Sequence, residues 1–195
     1  MTDRPFLAIT MGDAAGIGPE VTAKTLIDRS IYEKCRPFVV GNTDAMNAAL
    51  QIIGSEVSAR AADTLEEIDG EYGIVDVLDL GNLNFDELEY GKISAISGQA
   101  SVEWILKAGE LAASGAVQAI STAPINKEAC NEAGHKDIGH MEIFQSQTGS
   151  KQVATMLMTG TLRVVHLTTH KSLRVACDSV TKENILAKII LTDEH

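Results

Sequence analysis

Apolar positions along the chain fall into short runs separated by stretches with helical spacing. Phe6–Thr10 is a compact apolar run, and a helical pattern follows from Pro19, a favoured first-turn residue, to about Asp28. Phe38–Val40 reads as a second strand. Asn42 to Asp44 then supply helix-start chemistry for a helix reaching about Ile53. Ile74–Leu80 is rich in Val, Ile and Leu and reads as a strand. Val102, Ile105, Leu106, Gly109 and Ala112 recur at helical spacing, which predicts a helix from Gln99 to Ala113. Val117–Ile120 is a strand ending at Ser121, and Ile125–Ala133 is helical with Gly134 as its stop.

Beyond this point the pattern changes. Val153–Met158 and Leu162–Leu167 read as strands joined by Thr159-Gly160-Thr161, short enough for an antiparallel hairpin. Ser172–Asp178 begins another helix. Thr181 is placed to cap a last one containing Ile185, Leu186, Ile189 and Ile190. Strands mostly alternating with helices predict an α/β layered fold. There is no internal repeat, low-complexity segment or long linker.

Composition narrows the class of protein. The 195 residues are 45% hydrophobic and 22% charged, ordinary globular values that exclude wholesale disorder. A net charge of -11 opposes general binding to nucleic acid or anionic membrane, so neither is an expected partner. No apolar run approaches a membrane span, and Met1-Thr2-Asp3-Arg4-Pro5 lacks the regions of a signal peptide. Cys35, Cys130 and Cys177 are odd in number and far apart. The expectation is a reduced, cytoplasmic protein.

Candidate chemistry clusters after the strand-like runs, where open α/β sheets collect ligands. Gly12-Asp13-Ala14-Ala15-Gly16-Ile17-Gly18-Pro19-Glu20 lies between a strand and a helix, and reads equally as an anion-binding loop or a structural turn. It is not GxGxxG, and the chain has no Walker loop, so no cofactor pocket is anchored by a fingerprint. Lys127, in Ser121-Thr122-Ala123-Pro124-Ile125-Asn126-Lys127, reads either as a surface lysine or as a phosphate, carboxylate or proton contact. His135 and His140 are five apart, and His166 and His170 four apart. With no HExxH and no paired cysteines, a closed zinc site is not expected.

Taken together, the glycine loop, Ser121–Lys127, Gly139-His140-Met141-Glu142 and Thr168-Thr169-His170 with Leu173-Arg174 resemble the 4-hydroxythreonine-4-phosphate dehydrogenase family and its D-threonate and D-erythronate 4-phosphate relatives. The resemblance covers the N-terminal part of a family protein only. It implies isocitrate/isopropylmalate dehydrogenase-like α/β/α layers. A first domain would span 1–120, and an incomplete second domain 121–195.

The implied activity is oxidation by NAD, with decarboxylation, of a 4-phosphorylated four-carbon hydroxy acid, in a homodimer. Lys127 then faces the substrate cleft as a catalytic residue. His140 and Met141 contact substrate, and His170 is one of three ligands to a divalent metal (zinc, magnesium or cobalt). The other two ligands belong to downstream motifs that do not occur here. Two departures stand out: Ala14 where proline is usual, and Met141 where threonine is usual, which removes a hydroxyl from the substrate side. His135 and His166 are expected to be structural. Two other outcomes stay open, a non-catalytic fragment and an acyl transfer to phosphate on the same wider fold.

Overall fold

The computed structural model describes residues 4–136, 139–169 and 171–193, which form two compact units, Met1–Thr148 and Gly149–His195. The first is built on a five-stranded parallel sheet. Its strands are β1 (Phe6–Thr10), β2 (Arg36–Gly41), β3 (Ser58–Ala62), β4 (Ile74–Asp79) and β5 (Ala119–Thr122), in the order β3-β4-β2-β1-β5. A parallel sheet is covered on both faces, so its central strands carry continuous apolar runs. Phe38, Val39 and Val40 of β2 and Val75 and Val77 of β4 are accordingly buried.

Helices α1 (Gly18–Leu26), α2 (Arg29–Lys34) and α3 (Thr43–Ile52) follow the first two strands, and α1 packs on α3. The long α4 (Ala95–Ala113) packs on β1, β2 and β5. It buries Trp104 and Ile105 completely. Two short helices, α5 (Lys127–Glu132) and α6 (His140–Thr148), pack on α4 in turn. Their contact is a second apolar cluster of Val102, Ile105, Cys130 and Ile143. Gly98 makes it tight: a Cβ there would lie 2.0 Å from Ala129 O, so α5 reaches α4 only across a glycine.

This packing explains why the first unit runs past Ser121. The sequence boundary near residue 121 falls inside a body that α5 and α6 extend to Thr148. The second unit contains the antiparallel hairpin of β6 (Met156–Thr159) and β7 (Leu162–Val165), with α7 (Leu173–Asp178) and α8 (Lys182–Asp193). Thr181 Oγ1 accepts from Asn184 N at 3.2 Å, the expected cap of α8.

Three elements have no counterpart in the hydrophobic pattern. The edge strand β3 reads Ser-Ala-Arg-Ala-Ala, without a β-branched or aromatic residue. The helices α2 and α6 each bury one side chain, Tyr32 and Ile143, too little for a periodic signal. Asp76 shows how a charge is accommodated in this sheet. Its buried carboxylate accepts from Arg60 and from the backbone N–H groups of Asp69 and Gly70. None of the described helices is long and apolar enough to cross a membrane.

Candidate functional site

The strand order sets where a site can form. From β1 the chain builds the sheet to one side through β2, β3 and β4, then returns along α4 to place β5 on the other side of β1. Such a reversal opens a crevice beyond the carboxyl ends of the two diverging strands. Here those ends carry the glycine loop after β1 and Ala123-Pro124 after β5.

The two loops are clasped together. Asp13 N donates to Pro124 O at 2.9 Å, and Ala123 N donates to Thr10 O at 3.0 Å. Gly12 has φ +74°, and a Cβ there would stand 2.3 Å from Pro124 O, so both its conformation and its clearance require glycine. The buried Asp13 carboxylate accepts from Ala15 N at 2.9 Å and from the Ser97 hydroxyl. Ser101 Oγ donates to Gly12 O at 2.9 Å. Between the anion-binding and structural readings, this geometry favours the structural one, because the loop folds around its own carboxylate.

Past Pro124 the backbone turns into α5, capped by Asn126, whose Oδ1 accepts from Glu128 N and Ala129 N at 3.0 and 3.2 Å. Lys127 is the first residue of this helix and is exposed. A cation at a helix N-terminus opposes the helix dipole, so local stability does not account for lysine here. His140 is the first residue of α6 and is half-buried.

The structure brings these two helix starts together. A Cβ on Gly139 would lie 3.9 Å from Lys127 Nζ and 2.7 Å from Glu142 Oε2. Lys127 and Glu142 therefore converge on the residue preceding His140. Burial pushes the His140 imidazole below its ordinary range, the Glu142 carboxylate partly opposes this, and Lys127 reinforces it. Burial thus favours the neutral ring, and its buried Nε2 has no hydrogen-bond partner. An unpartnered buried ring nitrogen beside an exposed ammonium can receive a hydrogen-bonding anion such as a phosphate ester or carboxylate.

The remaining candidates are distributed differently. Met141 follows His140 and is 39% exposed. Glu142 carries no assigned role in the sequence reading. Its signal is positional, since the third residue of a helix is where a capping-box carboxylate folds back. His135 binds Gln99, its Nε2 lying 2.9 Å from Gln99 Oε1. His166 is half-buried in the second unit. His170, the expected metal ligand, lies outside the described residues. Among those residues no three His, Cys, Asp or Glu side chains gather where a metal could be held. The second unit has its own cavity of about 470 Å³, lined by Val165, Leu167, Ile185, Lys188 and Ile189. Its lining is mostly apolar and includes no histidine or cysteine.

Comparison with known proteins identifies the family and the fold. The sequence matches the family described as pyridoxal phosphate biosynthetic protein PdxA over residues 33–195. A curated relative from Clostridium botulinum, provisionally named a D-threonate 4-phosphate dehydrogenase, is 38% identical over 194 residues. That match covers 100% of this chain and 58% of the relative. The crystal structure of a 4-hydroxythreonine-4-phosphate dehydrogenase from Burkholderia phymatum superposes with a TM-score of 0.89 at 41% identity, covering 96% of this chain and 57% of that one. That of the Klebsiella pneumoniae 4-hydroxythreonine-4-phosphate dehydrogenase gives 0.90 at 33% identity, covering 99% and 58%. The chain therefore spans well under two thirds of the relatives it matches, and its α/β architecture is the isocitrate dehydrogenase type expected from the sequence. On the match across residues 33–195 and these likenesses, the chain belongs to the PdxA family.

Proposed function

We propose that this chain carries the phosphate-ester side of a dehydrogenase site, acting on a 4-phosphorylated four-carbon hydroxy acid. The supporting observation is the convergence of Lys127 and His140 around Gly139, with His140 Nε2 buried and unpartnered. Lys127 supplies a point charge to phosphate or carboxylate, which a flexible ammonium does well. Neutral His140 offers a hydrogen bond whose direction follows its tautomer. Met141 adds an apolar, non-donating surface beside them. The names of the curated relatives favour D-threonate 4-phosphate over 4-hydroxythreonine 4-phosphate.

The reaction in this proposal oxidises a secondary hydroxyl to a ketone, and the resulting β-keto acid loses carbon dioxide. NAD, when bound, takes the hydride. A divalent metal and a second copy of the chain belong to the same proposal, the metal through His170. The described residues assemble no metal ligand group, so no step is assigned to a metal here. The glycine loop's interior is taken by Asp13, so no residue is assigned to the nicotinamide.

Calorimetric titration tests the binding half directly. The chain should bind D-threonate 4-phosphate and 4-hydroxythreonine 4-phosphate, the first more tightly, and both more tightly than inorganic phosphate. Lys127→Met should weaken ester binding about tenfold to a hundredfold, the worth of a hydrogen bond to a charged group. Equal, weak binding of all three ligands would contradict the reading. NADH formation from either ester, with and without a chelator, reads the redox half. Chelator-sensitive NADH supports it, and chelator-insensitive turnover would contradict its metal component.

A further inference from the structure

The side chains around His135 dictate which role its Nε2 plays. Trp104 is fully buried, and its indole Nε1–H donates to Asn82 Oδ1 at 3.0 Å. An indole nitrogen only donates, so Asn82 must turn its oxygen to Trp104 and its amide nitrogen away. That nitrogen donates to Glu103 Oε2 at 2.5 Å. The other carboxylate oxygen accepts from Gln99 Nε2 at 2.7 Å, one helical turn earlier on α4. An ionised carboxylate only accepts, so Gln99 presents its Oε1 outward, 2.9 Å from His135 Nε2. Two arms of donors converge on Glu103 and leave His135 one role, an N–H at Nε2.

The backbone of His135 belongs to the stop of α5. Gly134 N donates to Asn131 O at 3.0 Å and His135 N donates to Cys130 O at 2.9 Å, the paired bonds of a Schellman ending. His135 thus fastens the end of the helix that begins with Lys127, and five residues later α6 begins with His140. Both helices pack on α4, the element that carries Gln99, Glu103 and Trp104.

We propose that His135 is a positioning residue for the Lys127–His140 pair, held as its Nε2–H tautomer by the relay of Trp104, Asn82, Glu103 and Gln99. What that pair binds rests on the phosphate-ester reading above; the relay does not.

Long-range 1H–15N NMR of the ring nitrogens, recorded on the whole chain with labelled histidine and no ligand, reads the tautomer. His135→Gln identifies the resonance. The parent chain should show His135 as a single Nε2–H tautomer. Glu103→Gln gives the sharper prediction. Its side chain offers one oxygen and one nitrogen, and Asn82, locked by Trp104, takes the oxygen. The nitrogen then faces Gln99, which must turn its oxygen inward and its nitrogen toward His135. His135 should convert to the Nδ1–H tautomer, a change of about tenfold in the tautomer ratio. A parent His135 averaged between tautomers, or one unchanged in Glu103→Gln, overturns the relay.

The positioning role has its own readout. His135→Ala should move the ring resonances of His140 in the ligand-free chain. His135→Gln keeps an N–H for Gln99 and should leave them in place. Identical His140 resonances in both variants overturn the role, and where Glu103→Gln does not fold, the parent spectrum and this pair decide. A chain that shows the relay but binds neither phosphate ester would sink the functional reading alone.

Discussion

At the scale of the residue, the site is a contest of charges around one imidazole. Burial and Lys127 lower the His140 pKa, and Glu142 opposes them. Removing each neighbour therefore has a definite sign. Lys127→Met should raise the pKa of His140, and Glu142→Gln should lower it further, both read by NMR titration of the ring. Shifts in the opposite sense, or none in either variant, would break the electrostatic account. The same depression links to stability. Unfolded His140 titrates near its ordinary value of about 6.5, above its folded pKa, so the unfolded chain binds more protons between the two. The contribution of neutral His140 is present above that value and lost as pH falls through the interval. His140→Gln should flatten this part of the pH–stability curve, measured by denaturant unfolding.

Lys127 and His140 stand in the sequence within family-like motifs, Lys127 just after the strand expected to end at Ser121, and the role of each belongs to the proposal above. Glu142 acquires meaning only once α6 folds it back on Gly139, and α6 buries too little to be read from periodicity. The His135 relay links positions 82, 99, 103, 104 and 135, and no local spacing connects them.

At the scale of the element, the site depends on how closely α5 approaches α4. Gly98 sits at that contact, where a Cβ would collide with Ala129 O. Gly98→Ala should destabilise the chain by roughly 1–3 kcal/mol, the usual cost of overpacking. Because α5 begins with Lys127, ester affinity should fall with it. A variant with parent melting temperature and parent affinity would show that this contact does not position the site. Elements with strong apolar runs or cap chemistry were legible. β1, β2, β4 and the hairpin follow Val, Ile, Leu and Phe, and α3 and α8 follow Asn42 and Thr181. The strand β3 was not, because it forms by pairing with β4 and not by its own propensity. The start of α4 at Ala95 lies four residues before the expected Gln99, set by the cap Ser94, whose Oγ accepts from Ser97 N.

At the scale of the whole molecule, the buried core belongs to the first unit. Every buried side chain of both apolar clusters lies at or before Ile143, and none of the described residues of the second unit is fully buried. A chain cut after Thr148 should therefore keep a cooperative melt and the fluorescence of buried Trp104. In hydrogen exchange of the whole chain, amides of the hairpin and α8 should exchange faster than those of β1, β2 and β4. Uniform protection across both units would contradict this division. The fold class and the order of most elements were legible from alternation alone. The close of the first unit at Thr148 was not, since it follows from α5 and α6 docking on a helix some thirty residues earlier.

The claim that organises these levels is that Lys127 and His140 form one receptor for a phosphate ester. Its most direct test is an NMR titration of the His140 ring with D-threonate 4-phosphate, run on the parent chain and on Lys127→Met. The account predicts saturable movement of the His140 resonances and a rise in its pKa as the anion binds. It also predicts loss of the response at the same concentrations in Lys127→Met. A His140 ring indifferent to the ester, or one that responds equally without Lys127, would contradict it.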